Sequence, residues 1–426
     1  MSTTSLGLTQ RSQHVFPAGS NGEFNLPPSQ AIVIERGRGC ELWDTDGRRY
    51  LDFSMGWGSV LVGHARPEVV AAVNAAVPGG SNFAYVTRRS LELAERIVAV
   101  SPAAESVRFC ASGTEATMYC QRLARGYTGR NKILKFEGAY HGANAIGTAN
   151  LFPDTPPNFP HPEVTGTGES QGTIGDVLIA PFNELDVAER LIAEHADDLA
   201  AVIVEPLQRC VPPAEGFLAG LRNATRRHDV LLVFDEVVTG FRLAYGGAQE
   251  YYGVVPDLVA YGKALGGGYP IGVYAGREDV MAVVREERLG SNAPYVWSAS
   301  TLGGNPISSA AALAALEVLG GDGVYERLHR LGGYLRQGMR RVLAESGEAA
   351  QVIGDGPLAQ VVFSTAPIHN YRGTQLADRP RQRELMLRLF AAGVFLNPMG
   401  TKLYLSLAHD EAAVDEFLGI FAAALD

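Results

Sequence analysis

The chain has 426 residues, 46% of them apolar and 19% charged, with a formal net charge of −10. That excludes a disordered chain, is long for a single core, and argues against a nucleic-acid surface, so an anionic ligand has to be held by local backbone dipoles. Cys40, Cys110, Cys120 and Cys210 form no CxxC pair, and the nine histidines include no HExxH pair. Reduced thiols, no metal and a cytoplasmic location are therefore expected, since the N-terminus has no apolar stretch of signal-peptide length and no run reaches membrane-spanning length.

In chain order, a polar arm is followed by alternating segments broken at Asp46-Gly47, a hairpin signal. From about residue 67 the period becomes helical, in PEVVAAVNAAV and SLELAERIVAV. Short apolar runs then alternate with amphipathic helices. The predicted strands are SVRFCAS, KILKF, DVLIAPF, AAVIVEP, VLLVFDE, LVAYG and GVYAG. The predicted helices between them include TEATMYCQRLARGY, ELDVAERLIAEHA and FLAGLRNATRRH. This alternation predicts an α/β fold with a mostly parallel sheet wrapped by helices. The Pro-, Gly- and Thr-rich stretch Asn150–Gly175 is expected to be a long surface loop. PISSAAALAALEVL leaves the large unit, and the remainder ends in EAAVDEFLGIFAAAL. The expected division is a large domain over 67–320 and a smaller α+β domain built from 1–66 and 321–426.

The chemistry-bearing residues sit at the ends of these predicted strands. Asp235 closes the apolar run Val230–Phe234, and Lys263 closes another just before three glycines. Alone, each has a bland explanation as a helix cap or a solvated loop lysine. Ser112-Gly113-Thr114-Glu115 follows a strand and opens a helix, where exposed N–H groups and the dipole favour a phosphate, although S-x-x-E is also a plain capping box. Tyr140-His141 offers an aromatic at a strand end, and Glu205 a carboxylate at another. Thr301, in a Gly-rich turn opening a helix, is a second candidate phosphate contact. A buried acid and a desolvated lysine beside a phosphate cradle are the parts a pyridoxal phosphate (PLP) site requires, the lysine for a Schiff base and the acid for the pyridine nitrogen.

The run ASGTEATMYCQRLARGYTGRNKILKFEGAYHG, then VEP, VFDEVVTGFR, YGKALGGGYPIG and TLGGNP, resembles class III PLP-dependent aminotransferases of fold type I, and within them most closely the glutamate-1-semialdehyde 2,1-aminomutases. The likeness spans almost the whole chain. It implies that Lys263 is the Schiff-base lysine and Asp235 the partner of the pyridine nitrogen. Val237 and Tyr140 would flank the ring, with His141 and Glu205 beside it. Ser112, Gly113 and Thr114 would hold the phosphate, and Thr301 would reach the phosphate of a neighbouring subunit in a homodimer. Trp57 would line the substrate pocket, with Trp297 as a second aromatic there.

The departures fall on substrate positions. The arginine that the aminomutase pattern places near the N-terminus aligns with Asn25, the Asn-bearing segment after VEP is replaced by Leu207-Gln208-Arg209, and a characteristic glutamate aligns with about Thr401, beside Lys402. Losing a bidentate donor is not conservative. Arg209 and Lys402 become candidates for a relocated carboxylate contact. The expected activity is therefore ping-pong transfer of an amino group between an amino acid, β-amino acid or amine and an oxo acid or ketone, with intramolecular aminomutase chemistry as the alternative. A nicotinamide dehydrogenase is disfavoured because no GxGxxG joins a strand to a helix.

Overall fold

A computed structural model of the chain describes residues 4–20, 26–27, 30–155, 158–164, 166–396 and 400–426. Its strands are β1 Ile34–Arg38, β2 Glu41–Asp44, β3 Arg49–Asp52, β4 Ser106–Cys110, β5 Lys132–Phe136, β6 Val177–Ala180, β7 Leu199–Val204, β8 Leu231–Asp235, β9 Leu258–Tyr261, β10 Gly272–Gly276, β11 Gln351–Ile353, β12 Leu358–Val362, β13 Val394–Phe395 and β14 Lys402–Tyr404. Seven of them form one sheet in the order β4-β10-β9-β8-β7-β5-β6. Strands β9, β8, β7, β5 and β6 pair in parallel, while β10 runs antiparallel to both β4 and β9.

Strands β6 to β10 are buried along their whole length, which explains their unbroken apolar runs. Alternate residues feed opposite faces. Val202, Val204, Leu232, Phe234 and Val259 join one core cluster, whereas Ala201, Ile203, Leu231, Val233 and Leu258 join another on the far face. Helices close both faces. Pro67–Ala76 packs on Pro306–Leu319 over the first, and Gly113–Thr128 contributes Ala116, Cys120 and Leu123 to the second. Local signals set their starts. Thr87 and Ser90 form a reciprocal capping box for Arg88–Val100, and Asn305 caps a helix whose first residue is Pro306, the favoured position for proline.

The hairpin at Asp46-Gly47 joins β2 to β3, with Gly47 at φ +83°. Asp44 Oδ1 accepts from the N–H groups of Asp46 at 3.0 Å and Arg48 at 2.8 Å. What short-range signals do not show is that β13 adds to β3 in parallel, giving a four-stranded sheet β1-β2-β3-β13. Beside it lies the three-stranded sheet β11-β12-β14. Leu51 and Phe53 thus share a core with Leu335, Leu389, Phe417 and Phe421, tying the N-terminal hairpin to the C-terminal α+β segment. The expected loop 150–175 is not wholly irregular. Residues Gln171–Gly175 form a short helix, and the buried Asn150 pins the chain by accepting from Glu163 N through Oδ1 at 2.6 Å. No single helix among the described residues is long and apolar enough to cross a membrane.

Candidate active site

The carboxyl ends of the parallel strands share one rim of the large sheet, where open α/β sheets place their ligands. Asp235 ends β8, Glu205 follows β7, Lys263 follows β9, Tyr140 and His141 follow β5, and Gly113 and Thr114 open the helix after β4. All of these line a single cavity of about 970 Å³, together with Val237, Trp57, Arg209 and Lys402.

Asp235 is 5% exposed. Its Oδ2 lies 2.7 Å from His141 Nδ1, and its Oδ1 accepts from the Val237 N–H at 3.1 Å. His141 is fully buried, and its Nε2 has no partner among the described residues. Glu205 ties two segments together, accepting from Tyr140 N at 2.9 Å and from Arg209 N at 3.2 Å. Burial pushes its carboxyl up, but Arg209, His141 and the Tyr140 N–H outweigh this and hold it below the ordinary range.

Lys263 adopts φ +41°, a left-handed conformation that non-glycine residues keep mainly at functional sites. Burial pulls its amine below the ordinary lysine range against the opposing pull of Tyr404 and Asp235. A desolvated amine of lowered basicity is the form that attacks an aldehyde. Gly113 and Val237 are nearly flush, since a Cβ at Gly113 would sit 2.7 Å from Val237 Cγ1. The start of the helix therefore lies against the side chain expected to flank a planar ring. A lysine amine, a buried carboxylate and an anion-binding helix start in one cavity are a donor set that fits PLP.

Lys402 donates from Nζ to the carbonyl of Arg209 at 2.8 Å and sits 4.8 Å from the centroid of the Tyr404 ring. Burial pulls its amine down, but Tyr404, Cys210 and Glu205 prevail and keep it above the ordinary range. Other expected residues lie elsewhere. Ser112 does not line the cavity, and its hydroxyl is spent on the cap, accepting from Glu115 N at 3.2 Å and donating to Glu115 Oε2 at 3.3 Å. Trp297 is 64% exposed and, like the exposed Thr301, is absent from the cavity wall. Thr401 is buried and donates to the Val361 carbonyl at 2.6 Å, while its neighbours Gly400 and Lys402 line the cavity. Asn25 lies outside the described residues.

One wall was not anticipated. Tyr371, Thr374, Gln375, Gln382, Arg383 and Met386, all from the C-terminal segment, also line the cavity. The ring of Tyr371 rests on Gly138, where a Cβ would come within 2.2 Å of Cδ2. Arg372 fixes this wall to the large sheet by donating from Nε to Glu137 Oε2 at 3.0 Å and Oε1 at 3.1 Å. Only the density of arginine and glutamine in RPRQR marks the segment in the sequence.

The sequence matches the family model described as aminotransferase class-III over residues 25–425. It is 41% identical to a glutamate-1-semialdehyde 2,1-aminomutase of Thermomicrobium roseum, over 97% of this chain and 96% of that protein. Among solved structures it resembles an omega-transaminase from Sphaerobacter thermophilus, with a TM-score of 0.93, 34% identity, and coverage of 99% of this chain and 97% of that one. It also resembles a transaminase with PLP bound, with a TM-score of 0.89, 31% identity, and coverage of 100% and 98%. The chain thus belongs to the class III aminotransferases, enzymes of fold type I, and its cofactor is pyridoxal 5′-phosphate.

Proposed function

We propose that this enzyme is an intermolecular aminotransferase, moving an amino group from an amino acid, β-amino acid or amine to an oxo acid or ketone in two half-reactions. The meeting of the Lys263 amine, the Asp235–His141 pair and the Gly113–Thr114 helix start in one cavity supports PLP-dependent amino transfer of either kind, and the substrate positions Asn25 and Thr401 carry the intermolecular form. Bound there, PLP supplies an aldehyde that captures amines and a ring that withdraws electrons from the carbon bearing the amino group.

Lys263 would hold the cofactor through its side-chain amine, and that amine, once free, would take a proton from the substrate carbon and return it. Its lowered basicity favours the neutral form this work needs. Asp235, steadied by His141, would face the ring nitrogen, with Val237 and Tyr140 flanking the ring, while Glu205 holds the Tyr140 and Arg209 backbones in place. The N–H groups of Gly113 and Thr114, with the Ser112 cap, would hold the phosphate. Thr301 would serve the phosphate of a second copy, which would make the working unit a homodimer. Trp57 shapes the substrate side, and Trp297 contributes there only across the dimer. A cytoplasmic location completes the proposal.

The second reading, intramolecular amino transfer on glutamate-1-semialdehyde, is favoured by the 41% identity to an aminomutase. Asn25 and Thr401, which stand where that pattern has an arginine and a glutamate, speak for the transaminase. Holoenzyme given single amino donors separates the two. A transaminase is bleached in its visible cofactor band, releases one equivalent of oxo product, and recovers its band on addition of an oxo acid. Isomerisation of glutamate-1-semialdehyde with no acceptor, and no bleaching by any donor, would overturn the proposal.

A further inference from the structure

Besides Lys263, four arginine and lysine side chains among the described residues line the cavity. Arg379, 3.9 Å from Asp154, and Arg383, against Met386 Sδ, come from the C-terminal wall, while Arg209 and Lys402 are tied to each other and their hydrogen bonding differs. The Lys402 amine is committed to the Arg209 carbonyl at 2.8 Å and lies over the Tyr404 ring. Arg209 uses only Nε, which donates to the Gly138 carbonyl at 3.2 Å. Its terminal nitrogens make no hydrogen bond to a described residue, and neither is among the buried polar atoms left without a partner. The half-buried guanidinium also lies 5.8 Å from the Tyr140 ring centroid.

The backbone is shaped to present this fork. Val211 N donates to Gln208 O at 2.8 Å, closing a turn with Arg209 inside it at φ +60°, a conformation that glycine adopts at no steric cost. Glu205 holds the Arg209 N–H and Lys402 holds its carbonyl, so both sides of the strained residue are tethered. Gln208 Nε2 adds a bond to the Glu137 carbonyl at 2.6 Å. A strained arginine kept where glycine would relax the turn indicates use of its side chain.

We infer that Arg209 is the residue that selects substrates carrying a carboxylate, amino acids and oxo acids rather than simple amines, and that Lys402 is a positioning residue that fixes the Arg209 turn. This rests on the aminotransferase reading above. The planar fork of arginine matches a carboxylate with two parallel hydrogen bonds. Glu205 interacts electrostatically with Arg209 but has both oxygens committed to backbone N–H groups, and the Tyr140 ring lies beside the guanidinium.

The test uses holoenzyme and paired amino donors, such as 3-amino-3-phenylpropanoate and 1-phenylpropylamine, in which a methyl replaces the carboxylate. Bleaching rates at varied donor give kcat and KM for each half-reaction. For Arg209→Met the ratio of kcat/KM for acid over amine should fall about 30-fold or more, mainly through KM for the acid. Arg209→Lys, which keeps charge without the fork, should recover part of that ratio. Lys402→Met should lower it by a smaller factor. An unchanged ratio in Arg209→Met, or a wild-type enzyme that takes amine and acid equally well, overturns the assignment while leaving the aminotransferase reading intact. A wild-type enzyme bleached by neither member of any pair overturns both.

Discussion

Replacing Gly113 by alanine tests the cofactor cradle with one carbon. The added Cβ would meet Val237 Cγ1 at 2.7 Å and Cγ2 at 2.9 Å, against ordinary carbon contacts of about 3.5–4.0 Å. Relief requires a shift of roughly 1 Å, in keeping with that contact distance. Val237 yields poorly, because its β-branched χ1 is stiff and its N–H is fixed to Asp235 Oδ1. Overpacking of this kind costs about 1–3 kcal/mol, and the strain falls between the helix start proposed to hold the phosphate and the side chain proposed to flank the ring. PLP titration of the apo-enzyme, followed by absorbance, should show a Kd raised about 5- to 150-fold. The unfolding midpoint of the apo-enzyme should not fall in proportion, because alanine favours a first helical turn over glycine by up to about 1 kcal/mol. Gly113→Ala with Val237→Ala should bind PLP more tightly than Gly113→Ala alone. Wild-type affinity in the single variant, or no recovery in the double, would refute the idea that this contact shapes the cradle.

Arg372→Met removes the ion partner of Glu137, which is 1% exposed. Arg372 itself is about a quarter exposed, so the loss should lie near the low end for a buried pair, about 3 kcal/mol by denaturant unfolding. Adding Glu137→Gln should restore part of it, and a single variant as stable as wild type would show that the C-terminal wall is held by packing alone. His409 is fully buried, with Nδ1 accepting from Ser406 N at 3.0 Å and Nε2 lying 3.1 Å from the Asp52 carbonyl. Burial lowers its pKa from 6.5 to about 4 against the pull of Asp52. The unfolded chain then binds the extra proton between those two values, so stability should fall by up to about 3 kcal/mol as pH drops from 6.5 to 4 and gain no further loss from this group below. Unfolding midpoints across that window should be flatter for His409→Gln, and an equally steep acid limb in the variant would show that other groups carry it.

That the residues proposed to hold the cofactor would meet in one cavity was legible because most of them are tied to a local signal. Asp235, Glu205 and Lys263 follow unbroken apolar runs, and in a parallel sheet the ends of such runs share one rim. Gly113 and Thr114 were readable from a strand followed by a helix start. Ser112 shows the limit of that logic, since phosphate contact and capping box share one pattern and the hydroxyl is turned to the cap. The pairing of β13 with β3 and the wall at Tyr371–Met386 were not legible, because they join segments more than 200 residues apart through contacts that leave no period in either one. Trp297 was not placeable for a related reason, as residue type indicates what an aromatic could do but not which surface its loop faces, and in this chain it is exposed away from the cavity.

The motif VFDEVVTGFR reaches beyond the cofactor through its last residue. Residues Met55, Gly56, Trp57 and Gly58 all have positive φ, at 47°, 58°, 57° and 81°, and two of the four are not glycine. Each such L-residue costs roughly 1–2 kcal/mol, so the turn persists only if its surroundings determine it. Asp52 Oδ1 accepts from Ser54 N at 2.7 Å and Met55 N at 2.9 Å at its start. At its end, the fully buried Arg242 donates from Nη2 to the Gly58 carbonyl and from Nε to Val238 O at 2.9 Å. The Tyr404 ring closes the far side, where a Cβ on Gly58 would come within 2.6 Å. Trp57 therefore enters the cavity at a height set by the chain continuing from Asp235 through Val238 to Arg242. A single stretch of sequence thus carries the carboxylate proposed to face the cofactor and registers Trp57 of the same cavity against it. The Arg of GFR belongs to this motif for a physical reason, although it does not line the cavity.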